Sequence, residues 1–396
     1  MRLAIFGDYQ LPLPPVCGGS VPNLVSVIID QNEKVGKYNI DCYSCFDMSA
    51  LEESKKYKYT KFVYSRDARF IRFLTNLAFK TKIPFVNIGD IPLPPTAKAY
   101  FRKQKYDAVY VAGYIRGLLD ISRNTTAPII YHHHVVTDII HEKTINGLEI
   151  VDTCSKLCFV SDFATGKAQT GSLEQNAKMC TFPNVVPGER SYLERKEENR
   201  LEIRTKYHIK ANEKVVLFVG RMTPDKGCLE LIKAFKNAEI SNTKLLVLGG
   251  STYSSKKRTH YIDLCFEAAQ SCPSIIFCGY VDYREIYKYY QASDISTLLS
   301  KCDEACGLVG LESIAAGLPL ITTDRGGIKE YIPLDCKITV SDGEKMIQDI
   351  ESALKKLCIN EDLLKKMSNC TVYSKRLTDN SGYFDNFVSL IDECVR

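Results

Sequence analysis

Short apolar runs alternate with longer amphipathic segments along most of this 396-residue chain. A chain that returns to the same edge of a sheet through a helix builds parallel strands, so this alternation predicts an α/β fold with helices on both faces of each sheet. The predicted strands of the first half lie at residues 3–6, 39–42, 62–64, 85–88, 108–111, 128–134 and 156–160. Those of the second half lie at 215–219, 244–249, 275–278, 295–299, 320–322 and 337–340.

A highly charged stretch at residues 189–206 separates the two series of strands and reads as a linker followed by a surface helix. The length of the chain favours two domains of about 190 residues, and each of them is large enough for a full core. We therefore predict domains at residues 1–188 and 189–375, followed by a tail at 376–396 that contains a helix.

The composition is that of an ordinary globular protein, with 45% hydrophobic and 25% charged residues. Because no run of 18 apolar residues occurs, we expect no transmembrane helix. The first strand follows Met1 and Arg2 directly, so we expect no signal peptide and a cytoplasmic location. In such a location the 16 cysteines are expected to be reduced thiols.

Positive charge is concentrated between residues 51 and 105, where aromatic residues interleave many lysines and arginines. Residues 66–82 can form a basic amphipathic helix. Three interpretations remain open: a solvated helix face, a nucleic-acid surface, and an anionic membrane surface or lipid-diphosphate acceptor. Nothing else in the sequence suggests a nucleic-acid module. The membrane interpretation, with peripheral attachment to the inner face, is therefore preferred over nucleic acid.

Two glutamates, Glu304 and Glu312, flank the predicted start of a helix at Gly307. The apolar residues that follow recur every three or four positions, as on one face of a helix. The backbone N–H groups of Gly307, Leu308 and Val309 would then be the unpaired donors of a helix N-terminus, which is a site for a diphosphate. This arrangement suits a nucleotide sugar, with Glu304 near the sugar and Glu312 near the ribose hydroxyls.

A second segment, residues 214–235, contains a buried strand, a loop with Arg221 and Lys226, and an amphipathic helix. Two cations on such a loop can hold a diphosphate, because arginine supplies a fork of donors and lysine a point charge. For an isolated pair of this kind, the alternative is that both residues are ordinary surface cations that bind no diphosphate.

Residues 303–332 read DEACGLVGLESIAAGLPLITTDRGGIKEYI. They resemble the signature of family 4 retaining glycosyltransferases of the GT-B fold, which has an acidic residue, Gly-Leu-Val, a second glutamate, A-x-G-x-P and Gly-Gly in this order. The pattern G-R-x3-D-K-G at 220–227 is similar to the donor-diphosphate loop of that family. Ala305-Cys306 departs from the family, which usually has an aromatic residue before the glycine.

The resemblance implies two Rossmann-like, doubly wound domains that face each other across a cleft. The first domain would bind the acceptor and the second the nucleotide sugar, and the tail would cross back to the first domain. The reaction would be a hexosyl transfer with retention to a lipid-linked or polysaccharide acceptor, in which the leaving phosphate helps to remove the acceptor proton. Neither a cofactor nor a metal is expected, because no D-x-D pair stands in a matching place.

The resemblance also assigns residues. The expected catalytic residues are Glu304, Arg221, Lys226 and a histidine from the run His132-His133-His134. Alternate residues of a strand point to opposite faces, so His132 and His134 should share one face. His134 is the first choice near the sugar and His133 the second. Donor binding is further expected of Gly18, Gly19, Tyr280, Val281, Gly307, Leu308, Val309 and Glu312.

Other functions would require different residues. A GT-B epimerase or phosphorylase would need a different lysine or histidine set. A non-catalytic GT-B protein that binds sugar nucleotides would not need Arg221, Lys226, Glu304 and Glu312 together. A Rossmann dehydrogenase would carry G-x-G-x-x-G after the first strand, and this chain has no such motif there.

Overall fold

The computed structural model describes residues 1–7, 9–67, 92–136, 147–169, 172–187, 196–251, 258–369, 373 and 376–396. The chain divides into two compact units. Unit 1 comprises Met1–Gly188 and Asn380–Arg396, and unit 2 comprises Glu189–Asp379. The predicted strand at 85–88 and the predicted helix at 66–82, beyond residue 67, lie outside the described residues.

Within the described residues, unit 1 contains a parallel sheet of seven strands in the order β3-β2-β1-β4-β5-β6-β7. The strands are β1 Arg2–Phe6, β2 Asn39–Cys45, β3 Thr60–Ser65, β4 Ala108–Ala112, β5 Ile129–His133, β6 Lys156–Phe159 and β7 Met179–Thr181. The helices of this unit are Ser20–Val35, Met48–Ser54, Pro95–Phe101, Leu118–Ser122, Gly147–Thr153, Asp162–Ala168, Leu173–Ala177 and Asn380–Val395, with a 3-10 turn at Ile115–Gly117.

Unit 2 contains a parallel sheet of six strands in the order β10-β9-β8-β11-β12-β13. The strands are β8 Lys214–Val219, β9 Thr243–Leu248, β10 Ile275–Gly279, β11 Ile295–Leu298, β12 Leu320–Thr322 and β13 Lys337–Thr339. The helices are Lys196–Lys206, Cys228–Ala238, His260–Ala269, Ile286–Ala292, Leu308–Ala315, Ile328–Tyr331, Met346–Ile359 and Glu361–Ser368, with 3-10 turns at Pro224–Lys226 and Leu334–Cys336.

Two local predictions need correction. The sequence did not predict β7, because its three residues, two half-buried and one exposed, carry too little apolar pattern. The charged helix Lys196–Lys206 is not a plain surface helix, because it buries Asn199, Ile203 and Arg204. The guanidinium of Arg204 donates to Asp294 at 2.9 Å, which allows a charged side chain to be buried.

The helix Asn380–Val395 belongs to unit 1, where it packs against residues from distant parts of the sequence. Phe387 is fully buried and meets the rings of Tyr38 and Tyr110 edge-on, with centroids 6.3 and 5.1 Å apart. Tyr383 stacks on Phe182 at 4.7 Å. Unit 1 is therefore completed by a segment that follows unit 2 in the sequence.

No helix in the described ranges is both long enough and apolar enough to span a bilayer.

Candidate functional site

The candidate residues of unit 2 follow the two central strands, β8 and β11, where the strand order reverses. Arg221 and Lys226 come after β8, and Ser300 and Glu304 come after β11. In open parallel sheets, ligands bind outside the carboxyl ends of the strands at such a reversal. The topology thus brings together residues that are more than 70 positions apart in sequence.

Lys226 and Glu304 form an ion pair. The Lys226 Nζ also lies 3.4 Å from Ser300 Oγ, and the Ser300 hydroxyl donates to Glu304. The side chains of Lys226 and Glu304 are 21% and 15% exposed, so the pair is partly shielded but reachable from solvent. Arg221 is more open and lies 3.5 Å from Asp225, a weak surface pairing that a diphosphate can replace.

A Gly-Gly pair holds the loop that carries Glu304. The Gly327 N–H donates to the Glu304 carbonyl at 2.7 Å, and Gly326 forms a parallel bridge with Glu304. Gly326 has a φ of +63°, and a Cβ at this position would collide with the Glu304 backbone. Only glycine combines this backbone conformation with so close an approach.

The helix Leu308–Ala315 begins after Gly307, as the sequence predicted, but the prediction that Gly307 N–H is unpaired was wrong. That N–H donates to the hydroxyl of Tyr331 at 3.0 Å. Burial raises the pKa of Tyr331 well above its usual value, so the phenol stays protonated. The N–H groups of Leu308 and Val309 have no hydrogen-bond partner among the described residues, and they remain available to an anion.

Glu312 is 2% exposed, and each of its carboxylate oxygens accepts a hydrogen bond from a tyrosine. Tyr283 donates to Oε1 at 2.9 Å, and Tyr290 donates to Oε2 at 2.7 Å. These tyrosines could not be identified from the sequence, because their link to Glu312 depends on how the helix Ile286–Ala292 and the turn before it pack against the helix Leu308–Ala315.

Tyr280 and Val281 follow β10, on the turn that leads to Tyr283. They line a cavity of about 250 Å³ in unit 2. Cys278, Lys206 and Tyr289 form part of its wall. The predicted base-binding turn is thus next to a space, and the same turn carries one of the two phenols on Glu312.

In unit 1, Gly18 and Gly19 lie between β1 and the helix Ser20–Val35. Their φ values are +71° and +103°, and a Cβ on Gly19 would collide with the side chain of Leu11. This explains why the loop needs glycine at these positions.

The three histidines have different surroundings. The rings of His132 and His134 are 4.0 Å apart on one face, as the alternation predicted. His132 Nδ1 lies 2.6 Å from the Tyr110 hydroxyl, and His133 Nδ1 lies 2.9 Å from that of Tyr131. Both ring nitrogens of His134 are buried and lack a hydrogen-bond partner among the described residues.

Burial lowers the pKa of both His132 and His133 to about 3, and it lowers the pKa of His134 well below the usual value. All three imidazoles are therefore neutral near pH 7. Because its ring nitrogens are unsatisfied, His134 is the histidine best able to bond a ligand hydroxyl, whereas His132 and His133 already serve the packing of the sheet.

Known glycosyltransferases are similar to this chain in sequence and in fold. Residues 199–372 match the model of glycosyl transferases group 1. Over 387 residues the chain is 29% identical to the putative glycosyltransferase YtcC of Bacillus subtilis, covering 93% of this chain and 86% of that protein. It is 28% identical to the lipopolysaccharide 1,2-N-acetylglucosaminetransferase of Salmonella typhimurium, over 53% of this chain and 52% of that protein.

The chain thus spans about half of the Salmonella protein, and it spans a third of another curated relative. Among solved structures, Anabaena HepE in complex with UDP and glucose superposes with a TM-score of 0.71 at 15% identity, over 99% of both chains. This likeness establishes the fold. Residues 199–372 are similar to the glycosyl transferases group 1 family, and the chain has the two Rossmann-like domains of the GT-B fold.

Proposed function

We propose that the protein is a retaining, metal-independent hexosyltransferase that moves a sugar from a nucleotide-diphospho-sugar to a lipid-linked or polysaccharide hydroxyl. The observation that carries this proposal is the contact of Lys226, Ser300 and Glu304 at the carboxyl ends of β8 and β11. It places a cation and a carboxylate in front of a helix whose first N–H groups at Leu308 and Val309 lack partners in the described structure.

Each of these groups binds a different part of the donor. The diphosphate binds the helix N-terminus and is neutralised by Lys226 and Arg221, which takes the place of a divalent cation. Glu304 then turns from Lys226 to the sugar hydroxyls, and Glu312 accepts from the ribose. Because these donors are fixed before the reaction, they stabilise the charge that develops on the leaving phosphate.

The rest of the proposal concerns the proton and the acceptor. The leaving phosphate takes the proton of the acceptor hydroxyl on the same face of the sugar, which retains the anomeric configuration. The neutral imidazole of His134 binds a sugar hydroxyl. HepE supports a uridine nucleotide as donor, since it was solved with UDP and glucose, and the Salmonella relative supports a surface glycolipid as acceptor.

The test incubates the purified protein with UDP-, GDP- and ADP-linked hexoses and follows the release of nucleoside diphosphate and the anomer of the freed sugar. We expect release from one base class, retention of the anomeric configuration, and an unchanged rate in EDTA. No binding and no release with any donor would refute the donor assignment. A rate that falls with EDTA and returns with magnesium or manganese would refute metal independence.

We further propose that the basic stretch docks on an anionic membrane that carries the acceptor. Residues 51–105 hold thirteen lysines and arginines against four acidic residues, a local balance of +9, whereas the rest of the chain balances at −4. Each cation near an anionic surface contributes about 1 kcal/mol, so several together give reversible binding.

Sedimentation with anionic vesicles tests this docking. Wild type should pellet with the vesicles at low salt and be released near 1 M salt, where the Debye length is about 3 Å. Replacement of Arg66, Arg69, Arg72 and Lys80 by glutamate should abolish pelleting, and neutral vesicles serve as the control. Wild type that stays in the supernatant at low salt would contradict the proposal.

A further inference from the structure

Glu312 is buried with two hydrogen-bond donors on its carboxylate, and those donors differ in how firmly they are held. Tyr290 lies inside the helix Ile286–Ala292 and is fully buried. Tyr283 lies before that helix, on the turn that follows β10, and is only half-buried. Tyr290 cannot leave without opening the packing of the helix, whereas Tyr283 lies outside that helix and already reaches the surface.

Glu312 is 2% exposed with both phenols in place, so almost none of its surface is open to a ligand. A ribose hydroxyl that bonds this carboxylate must therefore take a position that a phenol now fills. A buried carboxylate without donors is costly, and a chain that keeps one ready for a ligand needs a replaceable donor in the empty state.

We propose that the Tyr283 hydroxyl stands in for a ribose hydroxyl on Glu312 and is displaced when a nucleoside diphosphate binds. This inference rests on the proposed function, because it takes Glu312 as the ribose ligand. Tyr283 follows Tyr280 and Val281 on the same turn, so the residues proposed to hold the base and the phenol that must move share one short segment of backbone. Binding of the base would therefore engage the same turn whose phenol must leave Glu312.

Displacement of the Tyr283 hydroxyl predicts an unusual effect of its removal on nucleotide affinity. In wild type, nucleotide binding exchanges one hydrogen bond on Glu312 for another. In Tyr283→Phe that bond is absent from the empty state, and the ribose hydroxyl gains its bond without displacing a phenol. The variant should bind tighter by about threefold to tenfold, the range for one hydrogen bond to a charged group less the water that replaces the phenol. Removal of a side-chain group near a ligand usually weakens binding, so an increase in nucleotide affinity would itself distinguish this proposal.

Titration calorimetry of wild type, Tyr283→Phe and Tyr290→Phe tests the inference. The probe is whichever of UDP, GDP or ADP wild type binds. Tyr290 remains on the carboxylate in both states, so Tyr290→Phe should not bind tighter and should lower the melting temperature of empty and saturated protein alike. Tyr261→Phe serves as a control, because its hydroxyl accepts from the Leu229 N–H in the same unit and the residue does not line the cavity beside Tyr280.

A nucleotide that lacks both ribose hydroxyls provides the second arm. With the 2′,3′-dideoxy form of the same nucleoside diphosphate, nothing displaces Tyr283, and the gain of Tyr283→Phe should vanish. Unchanged or weaker binding of the ordinary nucleotide by Tyr283→Phe would overturn the inference while leaving the proposed function intact. If wild type binds none of the three nucleoside diphosphates, the proposed function fails and the inference fails with it.

Discussion

Replacement of Lys226 by alanine should reduce sugar transfer by about 10²–10³-fold, the loss expected when one fixed donor to a developing oxyanion is removed. The structure adds a reason beyond lost charge. Without Lys226, the partly buried Glu304 keeps Ser300 but loses its cation, so the carboxylate opposes the approach of a diphosphate. Arg221→Ala should fall in the same range, since in the proposed complex its fork would bond the other phosphate oxygens.

Steady-state transfer rates at saturating donor measure this effect. A matched control is Lys301→Ala, because Lys301 lies on the same loop as Glu304 but pairs with Glu230. We expect this control to retain turnover within about threefold and wild-type melting. If Lys226→Ala and Arg221→Ala both also stay within about threefold of wild type, the diphosphate assignment is wrong, since this is far below the loss of one such donor.

Phe387→Ala should destabilise unit 1 by about 3–5 kcal/mol, the usual cost of deleting a buried phenylalanine. The side chain is 0% exposed and fills the space between Tyr38 and Tyr110, so its loss leaves a cavity beneath the helix Asn380–Val395. For a unit of this size, such a loss lowers the melting temperature by roughly 6–20 °C.

Scanning calorimetry should show this change in the transition of unit 1, while the transition of unit 2 stays in place. The control is Val395→Ala on the same helix, where the side chain is 42% exposed and its loss should be within about 0.5 kcal/mol of neutral. Equal melting of Phe387→Ala and Val395→Ala would show that the helix is not part of the packed core.

The strands could be predicted because strands buried on both faces are continuous apolar runs. The runs KVVLFV in β8 and AVYVA in β4 are examples, and they appear in the structure within a residue of their expected bounds. The start of the helix after Gly307 was equally predictable, since its glycine and its periodic apolar residues are local signals.

The contacts of the site could not be predicted from the sequence in the same way. Tyr331 bonds the N–H of Gly307 from 24 residues away, and the partners of Glu312 lie 22 and 29 residues before it. Nothing in the local pattern distinguishes these tyrosines from others in the chain. The ion pair of Lys226 with Glu304 was implicit in the motifs, but its existence depends on β8 and β11 being neighbours.

The path of the chain through unit 1 also orders events during synthesis. Unit 2 is continuous and can fold as soon as its own residues have been made. Unit 1 must leave Tyr38, Tyr110 and Phe182 uncovered until the helix Asn380–Val395 emerges, roughly 10–40 s later at usual translation rates. The half of the protein that leaves the ribosome first is therefore the half that matures last. Termination directly after residue 379 would leave unit 2 complete and expose the apolar face of unit 1 to aggregation or chaperones.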